Sequence, residues 1–62
     1  MTGLFDNVIS TEEKIAALER EIAMRRRVYP NRVAEKKMTQ QKADYELRVM
    51  EQILADLRRQ KT

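Results

Sequence analysis

The side chains that could carry out covalent chemistry are few. Ser10 is the sole serine, and the chain holds neither histidine nor cysteine. A hydroxyl becomes a useful nucleophile when an adjacent base takes its proton, and the usual neutral-pH base is imidazole. Ser10 therefore has no partner to activate it. Gly3 is the only glycine, so no glycine-rich loop exists to cradle a phosphate. These absences predict a protein that is not an enzyme and uses no cofactor, with no thiolate or imidazole to offer a metal.

What the sequence does supply is positive charge, unevenly placed. Residues 1–24 carry five acids against two bases, residues 25–42 carry seven bases against one acid, and residues 43–62 carry four of each. Arg25, Arg26, Arg27, Arg32, Lys36 and Lys37 define a candidate basic site within 25–37, with Lys42 just beyond. Such a segment suits nucleic-acid phosphates, an acidic protein surface or anionic lipid. Equally, it suits a solvated helix face or one neutralised by a partner chain's acidic helix start. Three successive arginines point about 100° apart on a helix, so they cannot form one flat patch. No run of base-stacking aromatics accompanies them, which places nucleic acid behind an acidic protein target.

The elements that must position these groups read as two helices. Ser10 and Glu13 form a capping box, with Glu12 and Glu13 complementing the positive end of the helix dipole. Ile15, Leu18, Ile22, Tyr29 and Val33 then follow one stripe, with Arg25 or Arg26 crossing it between Ile22 and Tyr29. That stripe runs through Pro30. The spacing predicts a first helix over about 11–36 with a kink at Pro30, and a break at Tyr29 is the competing reading. Lys36 and Lys37 suit its negative end.

Thr39 is the next good N-cap, with Met38 and Ala43 placed as a hydrophobic staple. A second helix is predicted over about 40–60, carrying Ala43, Leu47, Met50, Leu54 and Leu57 at coiled-coil spacings. Tyr45, Val49 and Ile53 form a second apolar row beside that seam. Pairs of opposite charge at helical spacing run Glu21 to Arg25, Asp44 to Arg48 and Asp56 to Arg59. Met24, Met38 and Met50 either fill the core or offer adaptable surface.

A chain of 62 residues buries proportionally less surface than an ordinary domain and must borrow stability. Without disulfides or a metal, the remaining source is oligomerisation or docking on a partner. The expected architecture is all-α, an antiparallel two-helix hairpin over 10–62 that dimerises into a four-helix bundle. Its oligomer or partner interface is expected at Ile15, Leu18, Ile22, Tyr29, Val33, Leu47, Met50, Leu54 and Leu57. Residues 1–9 are expected to form an irregular arm, folded over one end of the hairpin or serving as a docking peptide through Leu4 and Phe5. No stretch approaches the length of a membrane span and no signal-peptide pattern opens the chain, so a cytoplasmic protein is expected.

The stretch from Arg25 to Leu57 resembles a group of short uncharacterised helical proteins encoded by bacteriophages and prophages. The residues carrying the likeness are Val28, Tyr29 and Pro30, then Met38 and Thr39, then Lys42, Ala43 and Asp44, then Val49, Met50, Ile53 and Leu54. The resemblance covers about half the chain and brings no functional residues with it. It implies a setting, the bacterial cytoplasm under phage control. Small proteins there commonly bind and block a host protein, regulate phage genes or counter a defence system.

Overall fold

The computed structural model describes residues 8–61, which form two helices and no strand among the described residues. Helix α1 spans Thr11–Ala34 and α2 spans Gln40–Lys61. The turn between them is five residues long, Glu35 to Thr39, short enough to fold α2 back against α1 as an all-α helical hairpin. Leu4 and Phe5 of the expected arm lie outside the described residues. Val8 and Ile9, just before the first cap, are exposed.

The start of α1 follows from its capping box. The Glu13 N–H donates to Ser10 Oγ at 3.1 Å, and the Ser10 N–H donates back to Glu13 Oε1 at 3.0 Å. Helix α1 continues through Pro30 rather than breaking at Tyr29. The ring removes one N–H, whose natural acceptor is the Arg26 carbonyl, and the half-buried Tyr29 and Val33 on either side keep the stripe against α2 across that loss.

The helix stops at Ala34, two residues short of the expected Lys36, and the reason is local. Lys36 adopts φ 61°, the left-handed conformation that glycine usually supplies after a helix. The Lys36 N–H donates to the Val33 carbonyl at 3.0 Å and the Lys37 N–H to the Arg32 carbonyl at 2.9 Å. Those two bonds are the Schellman closure, here built on a lysine. Helix α2 begins on Thr39, whose Oγ1 accepts from the Lys42 N–H at 3.0 Å.

Where the two helices meet, Ile22, Ala43 and Leu54 are the buried apolar residues, at 6%, 2% and 8% exposure. Ile15, Leu18, Tyr29, Val33, Met38, Leu47, Met50 and Leu57 are half-buried along the same line. Ala43 is the least exposed of the three, and with Met38 before the cap it holds the staple positions.

Two outcomes follow for stability. Lys36→Gly relieves the left-handed strain and should raise stability by about 1 kcal/mol, read as a higher melting temperature by circular dichroism. The Glu13 carboxyl is held below its ordinary range by the Ser10 backbone and hydroxyl donors. A carboxylate with a depressed native pKa contributes stability above the ordinary carboxylate range and loses it as pH falls through the native value. Glu13→Gln should flatten the acid limb of a helicity titration while leaving neutral-pH helicity nearly unchanged.

Candidate functional site: two unlike flanks of the hairpin

The residues expected at an oligomer or partner interface line the seam inside one chain. Ile15, Leu18, Ile22, Tyr29 and Val33 on α1 share it with Leu47, Met50, Leu54 and Leu57 on α2, all buried or half-buried. Arg25 takes the seam position between Ile22 and Tyr29. Its Nε donates to Tyr29 Oη at 3.2 Å, and its guanidinium pairs with Glu21. These contacts raise the Arg25 pKa further, with the Glu21 hydrogen bond the largest cause and the Tyr29 bond next, so this half-buried cation stays charged.

One flank of the seam is closed by charge. Arg26 pairs across it with Glu51, and Arg58 pairs with Glu19. A shallow groove there is lined by Glu19, Ala23, Arg26, Glu51 and Arg58 over Ile22 and Leu54. These cross-helix pairs fix the antiparallel register.

The other flank has no such cover. With Glu19 opposite Arg58 and Arg26 opposite Glu51, Val28 lies level with Val49 and Met24 level with Ile53. Helical periodicity turns all four away from the ion-paired side. They remain exposed, Met24 at 40%, Val28 at 38%, Val49 at 38% and Ile53 at 46%, with Tyr45 at 58% on the outer edge. Met24 and Val28 share a concavity with Arg25, Tyr29, Arg32 and Met38. The sequence shows Tyr45, Val49 and Ile53 as a second row. It gives no sign that Met24 and Val28 complete the patch from the other helix, because that depends on the register.

The basic segment is divided by the fold. Arg25 and Arg26 are held by Glu21 and Glu51, Lys37 lies 3.6 Å from Glu35, and Lys42 lies 3.2 Å from Glu46. Arg27, Arg32 and Lys36 make no ion pair among the described residues. Arg27 and Arg32 are five positions apart, which sets them roughly 140° apart around α1, so they do not form one phosphate-tracking face. The expected surface pair from Asp56 to Arg59 is present, whereas Asp44 accepts from Gln40 Nε2 at 2.9 Å. The basic end of α2 is met within the same chain by Glu19, in the third turn of α1, through Arg58.

Among the described residues no group of three or more potential metal ligands gathers, and no helix is long and apolar enough to cross a membrane. No family model, curated protein or solved structure matches the chain.

The two neighbouring arginines should behave differently. Arg26→Glu sets two carboxylates against each other beside the seam. It should cost up to about 1 kcal/mol, the scale of an exposed pair. Arg27→Glu should be nearly neutral, and adding Glu51→Arg to Arg26→Glu should restore the loss. Urea unfolding of the parent, Arg26→Glu, Glu51→Arg and the double variant reads the coupling directly. Leu54→Ala, deep in the seam, should cost roughly 2 to 5 kcal/mol by the same measurement.

Proposed function

We propose that this chain is a non-enzymatic, phage-type accessory protein that works by protein–protein interaction in the bacterial cytoplasm, self-association included. The contact surface is the uncovered flank formed by Met24, Val28, Val49 and Ile53. The observation that carries the reading is the asymmetry of the hairpin: one flank is closed by cross-helix ion pairs, while the other leaves four large apolar side chains exposed at two adjacent levels. Isolated apolar residues on a surface are ordinary. Here Met24 and Val28 from α1 and Val49 and Ile53 from α2 flank the Glu21–Arg25 pair, and apolar side chains gathered on one side and interleaved with charge suit an association site.

Composition and resemblance support the same reading. A chain without histidine, cysteine or a glycine-rich loop has little to catalyse with, and the likeness of residues 25–57 to short phage and prophage proteins favours binding or inhibition of a host or phage protein. A second reading, a small nucleic-acid-binding regulator using the basic segment 25–37, draws on Arg27, Arg32 and Lys36, whose charges are not paired among the described residues.

Site-specific photo-crosslinking in bacterial cells separates these readings. A crosslinker at Val49 or Ile53 should yield protein adducts, copies of the chain among them, and one at Ala16, away from the patch, should not. Equal labelling at all three positions, or none at any, would overturn the flank as contact surface. The nucleic-acid reading predicts binding that weakens steeply with salt and is lost on Arg27→Glu with Arg32→Glu. Protein contact through the flank predicts no such dependence.

A further inference from the structure

We propose that the occupant of the open flank is a second copy of this chain, packed face to face with its turn at the opposite end, to give a two-fold four-helix bundle. The inference rests on the reading of the flank as the contact surface and adds who covers it and in what orientation.

The patch is laid out to match itself. In a two-fold contact the same surface meets itself, so an apolar group must find an apolar group when the copy is turned over. With the axis crossing between Met24 and Val28 on α1, it also crosses between Val49 and Ile53 on α2, because the ion-paired register sets these residues level. Met24 of one copy then meets Val28 of the other, and Val49 meets Ile53. Both matches occur twice. The axis falls near the middle of α2 and past the middle of α1, so the turned copy covers residues 41–61 of α2 and 18–34 of α1 and leaves the first two turns of α1 free.

Charge selects the orientation. The turn end carries Arg27, Arg32, Lys36, Lys37 and Lys42 against Glu35 and Asp44, so setting two turns at the same end would bring two basic clusters together. Setting them at opposite ends separates the clusters. It also places Arg32, on the open flank and without an ion pair among the described residues, beside Glu21 of the second copy. Glu21 lies on the same flank, where it already pairs with Arg25, and accepts a second cation at little cost.

The overlapping parts of the two helices present a face of roughly 28 by 20 Å, about 560 Å² per copy. That is close to the ~600 Å² per partner at the lower end of specific interfaces. Among the described residues of one copy three apolar ones are buried. The contact would cover Met24, Val28, Val49 and Ile53 and finish burying Met50, which is half-buried between them.

The test uses the full chain. Sedimentation equilibrium from low micromolar to about millimolar should give a dimer mass, and Val49→Lys with Ile53→Lys should give a helical monomer. Because the chain has no cysteine, Gln41→Cys can carry a single spin label beside the turn. In the proposed dimer the labels sit on opposite halves, roughly 30 Å or more apart by helix rise, whereas turns at one end would bring them within about 20 Å. A folded monomer at all concentrations would remove the second copy but leave the flank open to another protein. A dimer unaffected by the two lysines would overturn the flank itself and this inference with it. A short label distance in a dimer that the lysines do dissociate would overturn the orientation.

Discussion

Two helices can cover one another along one side only, and that constraint governs the rest of this molecule. The seam buries Ile22, Ala43 and Leu54 and leaves its other members half-covered, so the hydrophobic term available to a single hairpin is small. Local devices therefore take on a large share of defining the fold. Both helices begin on side-chain caps, α1 ends on a Schellman closure, and two cross-helix ion pairs hold the register. None is worth more than about 1 to 2 kcal/mol alone. Their effect is to narrow the choice among alternative alignments, which a thin apolar seam by itself would distinguish poorly.

Much of this was legible in the sequence because the signals were local. The Ser10 and Glu13 spacing, the Thr39 cap and the heptad-like series from Ala43 to Leu57 each specify structure within a few residues, and each element begins where that spacing places it. Helix α1 passing through Pro30 was also readable, since the apolar stripe continues to Val33 and a break would have required an unusually long connection. The end of α1 was not readable. Helix stops are usually announced by glycine or asparagine, and Lys36 announces nothing.

The candidate site was less legible, because it depends on which residues become level after the chain folds back. The apolar stripes read as an interface line the seam of the hairpin, buried or half-buried, and the same periodicity serves an internal contact and an external one equally well. Ala43, which heads the apolar series of α2 in the sequence, is buried at the turn end of that seam. Met24 and Val28 sit off the stripe of α1 and gain significance only beside Val49 and Ile53. Similarly, a run of bases suggests a single positive surface until Arg25 and Arg26 are found on Glu21 and Glu51.

The unlike flanks carry a consequence for how the hairpin meets its medium. The side bearing Glu19, Arg26, Glu51 and Arg58 is held by exposed charges that mobile ions screen, whereas the side bearing Met24, Val28, Val49 and Ile53 grows less compatible with water as excluded salts such as sulfate are added. Ionic composition therefore acts on the two faces in opposite senses, loosening the alignment of the helices while sharpening the affinity of the bare surface for apolar company. A low-salt medium therefore favours the ion-paired face, and excluded salts make exposure of the apolar face more costly.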